Sequence, residues 1–438
     1  MNKIVASFGI AALGASTIPS ASAQDLQSAH GKPWAVSATL RGFYDDNING
    51  APSGPNKVES TGFEISPGIG LNIERDQTSI ALGYRYSLRY YDKNRFSVMV
   101  DHDNDDFTPM VERNSGHDSH THSFDGSIHH SFTERYSISL RDSFVVGQEP
   151  DLLRGKEGGG ANLTPVPGDN IRNYGSIAFN AVLTPVLDLE VGYNNQWFDY
   201  DNSGTNNNGL FQQSLSGSLD RIEQTAHVET LWRFLPSTQA IFGYQFGMVN
   251  HTGDEALTQD DTKEFQESSD RDTRSHYLYT GLTHVFRPDL NGSIRVGGRF
   301  TDFYNVDRDE MTPYARASLK YIYAPESFLE GGASYDLSAA TRADAATAET
   351  ANLFVSLRHR IVPKLFGSVT GQIQNLNYIG GDNDGENTLV YTTGINLEYF
   401  ILPYLSTHIG YNYDAVNTDV ENSDYSRNRV YIGVTATY

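Results

Sequence analysis

The sequence predicts an all-β fold: a transmembrane, antiparallel up-and-down β-barrel of about eighteen strands, with sixteen to twenty compatible with the pattern. Three observations predict it. Apolar and polar residues alternate with a period of two in segment after segment, connections alternate between short and long, and aromatic residues gather at the segment ends.

The amino terminus comes first. Met1-Asn2-Lys3 is a short, positively charged start, and Ile4 to Ile18 is an apolar, small-residue run without an acid. Ala21-Ser22-Ala23 supplies the small-x-small pattern of a signal peptidase site, so the cut is expected after Ala23. The run falls well short of the ~20 strongly apolar residues a spanning helix needs. The expected organisation is a signal peptide at 1–23, a short periplasmic segment at 24–33 and one barrel over 34–438, with no second domain.

Composition narrows the class. Tyr 26, Phe 22 and Gly 40 stand against Trp 3, an excess suited to strands with one lipid-facing and one wet side. Cys is 0, which excludes a disulfide framework, thiolate nucleophiles and cysteine-ligated metal. Lys+Arg 32 against Asp+Glu 54 gives a net charge of −22, which argues against a nucleic-acid partner. The acids are segregated into Asp101–Asp106, Asp254–Asp272, Asp302–Glu310, Asp382–Glu386 and Asp419–Asp424, whereas the segments between are mostly uncharged and alternating.

Each strand follows from that alternation. Between Thr78 and Tyr90, Ile80, Leu82, Tyr84, Tyr86, Leu88 and Tyr90 share one parity, and Ser79, Ala81, Gly83, Arg85, Ser87 and Arg89 the other. A strand turns successive side chains to opposite faces, so one face is apolar and the other polar. The same reading gives strands at 34–44, 62–74, 78–91, 119–132, 135–147, 171–183, 187–200, 222–234 and 238–250. It continues with 275–286, 290–304, 312–323, 327–338, 350–361, 364–378, 388–401, 404–416 and 427–438. Short connections carry turn residues, among them Pro185, Pro236, Pro288, Pro325, Pro363 and Pro403. Proline cannot donate to a ladder and so marks strand ends. The long connections are the acidic segments together with Asn47–Ser60, Gln148–Asn170 and Asp201–Asp220, expected to face outward and to bind divalent cations weakly against lipopolysaccharide.

Two further signals concern the membrane. Phe132, Tyr136, Trp232, Phe234, Tyr321, Tyr323, Tyr399, Phe400 and Tyr404 lie toward the short turns, and Tyr44, Tyr90, Tyr91, Trp197, Phe198, Tyr200, Tyr304 and Tyr378 toward the long loops, as two interfacial girdles would. In the last strand, Val430, Ile432, Val434, Ala436 and Tyr438 form one apolar face. It resembles the carboxy-terminal signal that the outer-membrane assembly machinery reads.

Leu40-Arg41-Gly42-Phe43-Tyr44-Asp45-Asp46-Asn47-Ile48, followed by Ser66-Pro67-Gly68-Ile69-Gly70-Leu71, resembles the opening hairpin of the β-barrel porin type-2 family. The resemblance implies outer-membrane residence and, for some members, service to exopolysaccharide systems. It implies little about cargo.

The polar parity supplies the expected lumen wall. Arg41, Arg85, Arg89, Arg141, Arg295, Arg299, Arg316, Lys320, Arg358 and Arg360 lie on it, with Glu64, Asp125, Asp188, Glu190, Glu223, Glu229, Glu398 and Asp414. Such a wall selects polar or charged solutes, or its charges simply pair with one another. The expected function is a porin-like channel for small polar or anionic solutes, with oligo- or polysaccharides as further candidates. The alternatives are a component of exopolysaccharide export and a structural or surface-interaction barrel.

A hydrolase is less expected: Ser115 and Ser119 flank His117, and Asp103 is near, but no nucleophile-elbow motif surrounds them. His117, His120 and His122 fit no strong metal spacing and read as a solvated loop mouth, so no cofactor is expected. Expected partners are outer-membrane lipid and lipopolysaccharide, the assembly machinery, and small polar solutes or glycans.

Overall fold

The computed structural model describes residues 32–52, 54, 57–99, 110–147, 169–201, 215–253, 255–258, 263–342, 345–381, 384–419 and 424–438. The stretch expected to be a signal peptide, with its expected cut after Ala23, most of the 24–33 segment and the Asp101–Asp106 run lie outside them.

Eighteen antiparallel strands form one sheet. They are β1 (Trp34–Asp45), β2 (Ser60–Glu74), β3 (Thr78–Met99), β4 (Met110–Ser131), β5 (Tyr136–Gly147), β6 (Asn170–Thr184), β7 (Leu187–Tyr200), β8 (Arg221–Leu235) and β9 (Thr238–His251). The second half comprises β10 (Thr273–Arg287), β11 (Leu290–Phe303), β12 (Arg308–Ala324), β13 (Ser327–Ala339), β14 (Ala345–Val362), β15 (Leu365–Gly381), β16 (Asn387–Leu402), β17 (Leu405–Thr418) and β18 (Tyr425–Thr437). Each strand pairs with its sequence neighbours, and β1 pairs with β18 from Ser37↔Thr437 to Asp45↔Arg429, which closes the barrel. Closure removes both sheet edges and satisfies every ladder internally, the condition for strands to cross a bilayer.

Six short turns have the same construction. Pro-X pairs at Pro185, Pro236, Pro288, Pro325, Pro363 and Pro403 join strands two residues apart. Proline presets the first turn residue near φ −65°. In each hairpin the register slips just before the proline, for example between Phe400 and Leu402, so the descending strand kinks into the turn.

Faces sort as the alternation predicts, but Tyr91, Phe198, Tyr200 and Tyr378, expected in the long-loop girdle, fall on the inner parity and are buried there. Leu40, Tyr84, Phe124, Val191, Phe242, Leu278, Ile294, Leu353, Ile409, Val430, Ile432, Val434 and Tyr438 are exposed on the outside, where lipid would cover them. The buried residues line the inside and are largely polar, with an apolar cluster of Ala348, Leu376, Tyr378, Val390 and Val416 toward the long-loop end.

Two expectations fail locally. Asp302–Glu310 is no long loop: β11 ends at Phe303 and β12 begins at Arg308, so Asp302 and Glu310 are strand residues around a four-residue turn. The acids there read as loop because their charge masked the alternation. β3 and β4 also run on to Met99 and back from Met110, longer than the expected 78–91 and 119–132. The histidines His117, His120 and His122 are therefore on a strand and not in a loop mouth.

Candidate functional site

The inner wall is built from ion pairs that cross strands. On β1–β3, Glu64 accepts from Arg89 Nε at 2.9 Å and lies 3.6 Å from Arg41 Nη1. Glu64 is register partner to both arginines, so one carboxylate serves two guanidiniums. Arg41 also donates to His408 Nε2 at 3.3 Å and sits 4.4 Å over the Tyr431 ring. Both arginine side chains remain 27% exposed.

The opposite wall, β8–β13, is packed. Arg295 on β11 reaches across β10 and β9 to grip Glu229 on β8 with Nε and Nη2, both at 3.0 Å. Tyr279 donates to the same carboxylate at 2.9 Å. The reach of Tyr279 depends on Gly243, its register partner, where a Cβ would collide with the tyrosine ring. Gly410 seats the Tyr431 ring in the same way. Arg299 is saturated by Ser275, Thr301, Asp336 and the Leu337 carbonyl, while Arg316 stands 4.0 Å from the other Asp336 oxygen.

The ten basic residues predicted to line the lumen share the inner alternation with these acids, yet their partners differ. Lys320 pairs with Glu330 at 3.1 Å and Arg360 with Glu326 at 2.5 Å, near the short-turn end. Arg85 lies in the wall beside the Glu64 group, register partner to Gly68. Arg141 and Arg358 enter no ion pair among the described residues, and Arg358 lies 5.1 Å over the Phe366 ring.

Several wall residues escaped the sequence reading. Arg427 pairs with Asp414 at 2.9 Å and Arg429 with Asp45 at 3.2 Å, both buried. Their signal was present, because they alternate with the apolar face ending at Tyr438. Asp336, Tyr277 and Tyr314 lacked one, since only the register brings them together.

At the long-loop end Arg271, fully buried, ties three loops together. Its Nη2 donates to the Gly217 and Ser218 carbonyls and its Nη1 to that of Arg342. Gly217 and Ser218 belong to a single helical turn, α1 (Leu215–Leu219), inside the β7–β8 loop. Next to it Asp220 accepts from Tyr200 N and Ser216 Oγ, each at 2.6 Å, and burial pushes its carboxyl up to about 6.

The residues weighed for catalysis do not converge. Ser119 is buried on the inner face, while His120 and His122 stand outside, engaged by Tyr86 and Tyr84. His117 hydrogen-bonds the Tyr91 carbonyl oxygen. Asp103 lies outside the described residues. No group of three or more metal-ligating side chains occurs among those described.

Residues 258–438 match the family model described as "Putative beta-barrel porin 2". The match falls on β10–β18 and not on the opening hairpin that first drew the resemblance. No curated protein matches the chain. Among solved structures, Pseudomonas aeruginosa OpdK with vanillate is 13% identical, covering 92% of this chain and 99% of that one at a TM-score of 0.43. Acinetobacter baumannii OccAB4 is 10% identical, with 94% and 100% covered and a TM-score of 0.42. A mutant of the ferric enterobactin receptor PfeA of Pseudomonas aeruginosa is 8% identical, with 92% and 80% covered and a TM-score of 0.43. Likeness at this level carries no argument about solute or site.

Proposed function

We propose, from the porin-family match of residues 258–438, that this outer-membrane porin for small solutes favours anionic ones. The observation that carries the preference is the uneven pairing of its wall arginines. Arg41 and Arg89 share one carboxylate while staying partly exposed, and Arg141 and Arg358 have no acid partner among the described residues. An eighteen-strand barrel is wide enough for an aqueous path. A guanidinium facing that path keeps its charge at any physiological pH and offers forked donors suited to carboxylate and phosphate.

The net charge of −22 opposes this preference at the mouth. Distance decides between the two. Loop acids act through water and are screened beyond about 8 Å at physiological salt, whereas wall charges meet the solute at contact range. Bilayer recordings under a salt gradient should give a reversal potential on the anion side. Arg41→Ser with Arg89→Ser should move it toward cations. A cation-selective wild type, or a double variant with an unmoved reversal potential, removes these arginines from the selectivity.

A further inference from the structure

Two hairpins a third of the way round the barrel from each other repeat one arrangement on the outer face. On β3 and β9 a threonine is followed by tyrosine six residues on and an aromatic two further: Thr78, Tyr84, Tyr86 and Thr238, Tyr244, Phe246. On β4 and just past its end the series is His120, His122, His130 and Phe132, and on β10 it is Arg274, His276, His284 and Phe286, with identical spacing. Between β4 and β10 lie six of the eighteen strand intervals.

The contacts repeat as well as the letters. Thr78 Oγ1 lies 2.7 Å from His130 Nδ1, and Thr238 Oγ1 lies 2.7 Å from His284 Nδ1. Tyr84 Oη is 3.0 Å from His122 Nδ1 and Tyr244 Oη 2.7 Å from His276 Nδ1. The Tyr86–His122 and Phe246–His276 rings meet at 5.0 and 5.2 Å. In each hairpin eight residues separate the two histidine levels. At about 3.4 Å per residue and a tilt of roughly 40°, that is ~21 Å along the barrel axis, close to the ~25 Å apolar band of such barrels.

Each histidine therefore stands at an edge of the band, fixed by a hydroxyl from the next strand. Nδ1 is occupied, and Nε2 of these four rings has no partner among the described residues. With the hydroxyl donating to Nδ1, the ring proton sits on Nε2. At the long-loop edge each hairpin adds a second cation-capable group, His120 or Arg274. The carboxylates nearby are Asp118, 2.8 Å from His120 Nε2, and Asp302 with Asp309, which follow Arg274 in register.

We propose that His120 with His122, and Arg274 with His276, are two binding stations for the phosphates of the outer-leaflet lipid, lipopolysaccharide. The assignment rests on the outer-membrane reading above but not on conduction, because these side chains face away from the lumen. Refolded barrel in detergent, titrated with bis-phosphorylated lipid A or its dephosphorylated form, is read by native mass spectrometry. Wild type should retain the phosphorylated lipid preferentially. Arg274→Ser with His276→Phe, and His120→Phe with His122→Phe, should each weaken retention by about tenfold, the weight of one hydrogen bond to a charged group. His130→Phe with His284→Phe, at the other edge, should leave it unchanged. Unaltered single-channel conductance would show the variants folded. Equal retention of both lipids by wild type, or retention indifferent to the outer-edge variants, overturns the proposal. Selective retention by a barrel that conducts nothing would sink the channel reading and leave the stations standing.

Discussion

The wall of β8–β13 and the wall of β1–β3 use the same residues on the same alternation and arrive at different states. On β8–β13, Arg295 and Glu229 are 4% and 0% exposed and lie beside Tyr279 and Tyr314. On β1–β3, Arg41 and Arg89 keep 27% of their side chains open. The difference comes from the neighbours. Gly243 lets Tyr279 lie flat over β9, so aromatic mass fills in around the ion pair and excludes water. In that drier setting the pair is strong but costly to break, whereas the open pair is screened. One wall is closed around its charges and the other leaves them open to the lumen.

The comparison breaks most visibly at the packed pair. Glu229→Gln should destabilise the folded barrel by about 3–5 kcal/mol, because it leaves Arg295 buried without its counter-charge. Glu64→Gln should cost clearly less. Urea unfolding in detergent reads both, and equal losses would erase the distinction between the walls. Next in size is the inner-outer contrast itself. Leu82→Arg, on the lipid side, should cost about 2–4 kcal/mol at mid-bilayer, while Ser87→Arg on the inner side should be tolerated. Full tolerance of Leu82→Arg would contradict membrane insertion of β3.

Smaller effects sharpen the open wall. Arg141→Ser and Arg358→Ser should each shift the reversal potential toward cations without changing the unfolding midpoint; Arg295→Ser should do the reverse. The smallest concerns Asp220, at the long-loop end. Its carboxyl titrates at about 6 when folded, against 3.8 ordinarily, so the folded loop holds the proton more tightly. The resulting stability is fully present below about 3.8 and is lost as pH rises through about 6. Hydrogen exchange around Tyr200 and Ser216 should therefore slow as pH falls through 6, after correction for intrinsic exchange, and Asp220→Asn should flatten that response.

Strand count and facing were legible from alternation, because lipid on one side and water on the other impose period two on every crossing. Proline placed the six tight turns for an equally local reason. Asp302 and Glu310 misled because charged strand ends beyond the bilayer look like loop. Partnership was the part that could not be read. Arg295 and Glu229 are 66 residues and three strands apart, and only the register through Gly243 and Tyr279 decides that they meet. Parity says that an arginine faces inward; it does not say whether a tyrosine will cover it.

The seam between β1 and β18 has a consequence in time. Thr39 and Thr435 share a hydrogen bond at 2.9 Å though 396 residues apart, and Val36 exchanges two backbone bonds with Tyr438. Every other ladder joins neighbours in sequence, so hairpins can zip in order, but this one waits for the last strand. Until then both flanking strands offer open edges that any stray strand could add to. Such a long-range contact makes closure the slow step of folding. A chaperone or scaffold holding the β1 edge during that wait would speed assembly more than one acting on any interior hairpin.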